Sequence, residues 1–146
     1  MAAATTTPSF EDVPVGTELP RLDVPLTRSL IVATAIASRD YQDVHHDPDL
    51  AVARGSKDVF MNILTTNGFV GRFVTDWAGP DAVLEKVAIR LGVPNYPGDV
   101  MHLTGTVAAK DDERATVTIE VRGSNSLGDH VTGTVDLTLP RRRGAA

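Results

Sequence analysis

The chain contains no cysteine, which excludes disulfide frameworks, thiol nucleophiles and thiolate-held metals. No apolar run approaches the ~20 residues that span a bilayer. The opening Met-Ala-Ala-Ala-Thr-Thr-Thr-Pro has neither a basic stretch nor an apolar core, so no secretory leader is expected. Positive charge is also short. Lys and Arg total 14 against 19 Asp and Glu, a net of −5 over 146 residues. Three of those cations are Arg141, Arg142 and Arg143, which leaves eleven bases against nineteen acids in residues 1–140. Such a body is unsuited to general nucleic-acid binding, which rests on neutralising phosphates. A cytoplasmic setting is the default expectation, with neither membrane nor nucleic acid as a partner.

What is present reads as one domain. Residues 1–8 have the composition of a disordered leader, 9–140 form the folded unit, and 141–146 form a basic flexible tail. An extended lead-in is expected around Leu19 to Leu26. Helical spacing follows over Leu30 to Ser38, with Thr27 or Ser29 as the cap. A second, longer helix is predicted from Asp58 to Trp77. Asp58 would cap it, Gly79-Pro80 would stop it, and Gly68 and Gly71 would permit close backbone approach. The period then falls to two across four runs beginning near Val83, Met101, Ala115 and Val131, separated by short turns. These predict an antiparallel meander, with the lead-in as a fifth strand. The fold class is α+β, a sheet curling around a long buried helix. Its open edges favour pairing with another chain.

Between the helices lies Arg39-Asp40-Tyr41-Gln42-Asp43-Val44-His45-His46-Asp47-Pro48, polar in composition yet rich in groups that move protons. Asp40 and His45 stand five residues apart on a loop leaving a helix, where a carboxylate and an imidazole can share one water. Imidazole titrates near neutrality, and partial burial tunes a carboxylate upward toward it. Other readings remain open for such a loop. Asp43 or Asp47 can close Asx-turns, and His45, His46 and Asp47 are metal-ligand types, although adjacent residues rarely face one ion. The chain has no G-x-S-x-G elbow for a serine nucleophile.

The string RDYQDVHHD resembles the GDxNPxHxD signature of MaoC-like, (R)-specific enoyl-CoA hydratases. Asp40, His45 and Asp47 fall on its Asp, His and trailing Asp. Arg39 replaces its Gly, and Gln42-Asp43 replaces Asn-Pro. SRDYQDVHHD, GSKDVF, VTDWAGP, RLGVP and LGDHVT further resemble the small MaoC-like subunits of actinobacterial steroid side-chain hydratases. The resemblance implies a single hot-dog fold. It also implies hydration of a trans-2-enoyl-CoA, and of a steroid side-chain thioester for the nearest relatives. Asp40 and His45 would be the catalytic pair. The main-chain N–H of Asn62, at the start of the buried helix, would be an oxyanion donor, so that Asn62→Gly would be tolerated. His46 would be a structural or rim residue. No metal or redox cofactor is implied, CoA being part of the substrate. The partner implied is a second MaoC-like subunit in a heteromer, with a homodimer as the alternative. A non-catalytic acyl-CoA-binding hot-dog subunit and a hot-dog thioesterase are the competing functions. Candidate phosphate contacts are Arg54, Lys57, Arg72, Lys86, Arg90 and the Arg141–Arg143 tail, and no sequence rule chooses among them.

Overall fold

Thr27 ends the first extended stretch and opens the first helix. Its hydroxyl accepts the Leu30 N–H at 3.0 Å in the computed structural model, which describes residues 6–142. This helix, α1, spans Arg28–Ala37. A short helix α2, Pro48–Ala53, follows where only a loop was expected. The Asp47 carboxylate caps it by accepting the Asp49 and Leu50 N–H groups, and Pro48 supplies the preset φ of a first helical position.

The long helix α3 covers Ile63–Ala78 and is capped by Asn62 rather than Asp58. Residues 58–62 belong to no helix or strand, because their backbone groups are claimed by neighbouring loops. Phe60 donates to the Val44 carbonyl at 3.2 Å, and Met61 donates to the Asn95 carbonyl at 3.0 Å. Asp58 is held instead by a two-pronged contact with Arg28, at 2.8 and 2.7 Å. The apolar spacing is helical through Phe60, but the chain uses those residues as a wall. At the far end Gly79 takes φ 82°, the left-handed stop that glycine favours.

Five antiparallel strands complete the fold: β1 Leu22–Pro25, β2 Val83–Leu91, β3 Val100–Asp111, β4 Thr116–Asn125 and β5 Gly128–Thr138, in the order β1-β3-β4-β5-β2. Strands β3, β4 and β5 form the expected meander, whereas β2 pairs with β5 and not with β3. The connection 92–99 first prolongs that pairing, as Gly92 donates to His130 O and Val93 to Asp129 O. It contains Pro94 and Pro97, so it makes no tight hairpin and crosses the end of the sheet to β3. That crossing covers three strand spacings, about 14 Å, within the reach of about 26 Å of eight extended residues.

The sheet curls around α3, whose Val70, Phe73, Val74 and Ala78 are fully buried against Leu103, Ile119, Val135 and Leu137. Each large apolar side chain so buried stabilises the fold by about 1.5–3 kcal/mol. Strand β1 is a short edge ending in Pro25, whereas β2 is a nine-residue edge with Val83 and Leu84 exposed. Of the leader, residues 1–5 lie outside the described residues, while the Thr7 hydroxyl accepts the Asp81 N–H at 2.8 Å. Of the tail, 143–146 lie outside them. Arg141 and Arg142 pair with Glu11 and Asp12, which fastens the end of the domain to its start. Among the described residues no helix is long and apolar enough to cross a membrane.

The expected close approach at Gly68 and Gly71 is not made. A Cβ at Gly68 meets nothing within 4 Å, and one at Gly71 meets only Leu84 at 3.8 Å. The closest approaches are at Gly92 and Gly133; at Gly133 on β5 a Cβ would lie 2.1 Å from the Ala88 carbonyl oxygen of β2. Gly68→Ala is therefore expected to raise stability by about 1 kcal/mol through helix propensity. Gly133→Ala should lower it by about 1–3 kcal/mol by forcing β2 from β5. Urea denaturation of the two variants checks both signs.

Candidate active site

Helix α1 ends in a two-bond stop that sets the backbone of Asp40. Arg39 donates to Ile36 O and Asp40 donates to Ala35 O, each at 3.0 Å. Such an ending requires a left-handed residue after the cap, and Arg39 occupies it with φ 57°. The chain then tightens into a single 3₁₀ turn over Asp43–His45, pinned by the Arg54–Asp43 ion pair at 2.7 Å. This turn carries His45 inward until the residue is only 6% exposed.

The two expected catalytic side chains meet. His45 Nδ1 lies 2.7 Å from the Phe60 carbonyl oxygen, which can only accept, so Nδ1 carries the proton of the neutral ring. Nε2 is then a lone pair, and it faces Asp40 Oδ2 at 3.5 Å. Asp40 is held in turn. Asn62 Nδ2 donates to its Oδ2 at 3.0 Å, and the Gln42 N–H donates to its Oδ1 at 3.4 Å. The Asn62 bond, opposed by partial burial and aided by Gln42 and His45, keeps the Asp40 carboxyl below the usual carboxylate range. Tuning upward was expected from burial alone. The amide of Asn62 reverses it.

Asn62 has more than the main-chain role expected of it. Besides holding Asp40, its amide donates to Ser38 Oγ at 2.9 Å, and its Oδ1 accepts the Thr65 N–H at 3.0 Å as the α3 cap. The main-chain N–H groups of Asn62, Ile63 and Leu64 have no acceptor among the described residues. They lie at the positive end of the α3 dipole. A cavity of about 260 Å³ opens at this helix end, lined by His45, residues 60–63, residues 91–94 and His130. An apolar groove of about 390 Å³ runs between α1 and α3 past Ser38 and Thr65. His46 turns away, its Nε2 lying 3.2 Å from Tyr41 O, and Asp47 serves as the α2 cap.

No family model matches the chain. It is 53% identical over 125 residues to the 3-oxo-4,17-pregnadiene-20-carboxyl-CoA hydratase beta subunit of Mycobacterium tuberculosis, covering 86% of this chain and 95% of that one. A structure described as a MaoC-like dehydratase superposes with a TM-score of 0.82 at 27% identity, over 91% of this chain and 42% of that one. The chain belongs to the MaoC-like, (R)-specific enoyl-CoA hydratase family. The crystal structure of the ChsH1-ChsH2 complex from M. tuberculosis matches with a TM-score of 0.84 and 52% identity, over 86% of this chain and 98% of that one. The (R)-hydratase from A. caviae involved in PHA biosynthesis shares the fold, with a TM-score of 0.79 at 22% identity over 89% and 99% of the two chains. The hot-dog fold and the hydratase class expected from the sequence hold.

Two features of this MaoC-like site were not read from the sequence. The first is the reason for the signature's glycine, whose place Arg39 takes: the α1 ending needs a positive φ. The second is His130, buried in the cavity wall. Strict alternation along β5 turns Val131 inward and His130 outward. A bulge breaks the β4–β5 register there, pairing Gly123 with Val131 but Ser124 with Asp129, and both His130 and Val131 are buried. His130 Nδ1 donates to Val93 O at 2.7 Å, and Nε2 accepts from the Thr66 hydroxyl at 2.8 Å. Burial pushes its pKa down, against the pull of Val93.

Arg39→Gly should stabilise the protein by about 1 kcal/mol, the left-handed penalty less the extra chain entropy of glycine, as thermal unfolding would register. His130 supplies a pH dependence. Below its ordinary value of 6.5 the unfolded chain binds a proton there that the folded chain refuses, so stability falls as pH drops. Denaturation midpoints between pH 7 and pH 5 should fall less steeply in a folded His130→Asn variant.

Proposed function

We propose that this chain is the catalytic subunit of an enoyl-CoA hydratase, which adds water across the 2,3 double bond of a trans-2-enoyl-CoA. The observation that carries the reading is the facing pair of proton acceptors, Asp40 Oδ2 and His45 Nε2 at 3.5 Å, beside the unpaired N–H groups that open α3. One water bridges the two acceptors. Its oxygen adds to C3, its proton passes to His45 Nε2, and the Asp40 carboxylate stabilises the imidazolium. The negative charge moves to the thioester oxygen, which accepts from the Asn62 and Ile63 N–H groups. The imidazolium then returns the proton to C2, so one water is consumed and both residues regain their starting state. This sequence uses only groups of the chain and the substrate, and needs no metal or redox cofactor.

The relatives' names support the choice of substrate. A carboxyl-CoA attached to a pregnane skeleton is a bulky apolar thioester, and the groove between α1 and α3 offers apolar surface next to Ser38 and Asn62. The ChsH1-ChsH2 assembly supports a second MaoC-like subunit, for which the exposed edge of β2 is the natural seat. The setting is cytoplasmic.

The purified chain, with and without that subunit, is assayed against short-chain and steroid enoyl-CoAs. Hydration removes the conjugated absorbance while free thiol stays flat; a thioesterase would release thiol, and a binding subunit would do neither. Asp40→Asn and His45→Ala should each cost roughly 10²–10⁴-fold in rate. His46→Ala should be mild. Asn62→Gly frees Asp40 and should cost on the order of 10²-fold. An active, folded His45→Ala variant would remove this mechanism.

A further inference from the structure

Most cations of this chain are neutralised by neighbours. Arg28 is held by Asp58, Arg54 by Asp43, Arg72 by Asp76 and Arg142 by Asp12. Among the described residues Lys57, Lys86 and Arg90 of the candidate set make no salt bridge, and of these three it is Lys57 that lines a cleft beside the catalytic cavity. Its ammonium stands 5.7 Å from the centre of the Tyr96 ring, at the mouth of an open cleft of about 330 Å³. The carboxylates nearby are already served. Asp58 is bound on both oxygens by Arg28. Asp99, the acid lining the cleft, accepts from the Val100 N–H, the Ser126 N–H and the Ser126 hydroxyl.

The cleft continues the wall of the catalytic cavity. Two segments, 57–63 and 91–99, run side by side and are joined where Met61 donates to Asn95 O at 3.0 Å. Residues 60–63 and 91–94 face the cavity, whereas Lys57 and Tyr96 to Asp99 face the cleft. A line of rings connects the two. The centres of His45 and Phe60 are 4.9 Å apart and those of Phe60 and Tyr96 are 6.4 Å apart. With the final 5.7 Å step, the Lys57 ammonium lies within about 17 Å of the His45 imidazole. In a CoA thioester, roughly thirteen bonds separate the sulfur from the first phosphorus. That equals a little over four residues of extended chain, or about 15 Å. A thioester seated at His45 thus has a carrier whose length is comparable to that upper bound, which puts Lys57 within reach of its diphosphate.

We infer that Lys57 and Tyr96 form the subsite for the diphosphate end of the CoA carrier, with the ammonium pairing a phosphate oxygen and the ring holding the ammonium over the cleft. The assignment rests on the hydratase reading for its ruler, but it can fail separately. It also selects one cation from a set among which composition could not choose.

Calorimetry of CoA binding to the chain with its second subunit supplies one arm of the test. Lys57→Ala should weaken CoA about tenfold, the effect of a charge-assisted contact at a partly solvated site. Lys57→Arg should recover most of it, and the difference should shrink as salt rises. Kinetics supply the other arm. For a short trans-2-enoyl-CoA, Lys57→Ala should raise KM about tenfold with kcat unchanged. For the matching pantetheine thioester, which lacks the diphosphate, neither constant should move. Unchanged CoA affinity in Lys57→Ala, or equal losses toward both thioesters, overturns the subsite and leaves the hydratase reading intact. Lys57-dependent CoA binding by a complex that hydrates no enoyl-CoA sinks the hydratase reading and keeps the subsite.

Discussion

The geometry of this site depends on the side chain of Asn62. A helix needs something to take its first free N–H groups, and Asn62 meets that need for α3 by accepting from Thr65. The same amide spends its donors on Ser38, at the end of α1, and on Asp40, just beyond it. One buried residue thus joins the end of one helix, the start of another and the carboxylate between them. Because the donor faces Asp40, the carboxylate stays ionised despite its partial burial. A glycine could keep the main-chain N–H at this point, but it could not tie the three together.

The second constraint is that the walls of the cavity are irregular backbone. Segments 58–62 and 92–99 belong to no helix and to no named strand, yet several of their polar groups are paired: Phe60 with Val44 and His45, Met61 with Asn95, Gly92 and Val93 with β5. Irregular chain beside a core is held by such pairing, and the Asn62 N–H that it leaves free opens into the cavity. This arrangement gives His45 its tautomer, since the carbonyl that orients Nδ1 is free of any helix. It also allows the cavity and the neighbouring cleft to share walls.

Much of the fold was legible in the chain. The change from a 3.6-residue to a two-residue period marked α3 and the long strands, because one-sided burial writes itself into spacing. Thr27 and Gly79 marked helix ends through groups that act locally. The pairing of β2 with β5 was not legible, since period-two runs carry no label for their neighbours and the prolines of 92–99 only exclude a tight hairpin. The true start of α3 was hidden for a related reason. Phe60 and Met61 suit a helix face, and tertiary hydrogen bonds drew them into an irregular wall.

For the site, the sequence by itself determined which groups are present and that Asp40 and His45 leave one helix within five residues of each other. Spacing along a short loop is a local property, and it limited how far apart they could stand. Only the tertiary structure decided the rest. It drew the Asp40 pKa down where burial argued for up, because the decisive donor is 22 residues away in the chain. It turned His130 into the cavity, because a bulge arises between two strands and leaves no mark on either. Among the described residues it also left Lys57 without a salt bridge while pairing Arg28 with Asp58, because ion pairs form between residues that the fold, and not the chain order, brings together.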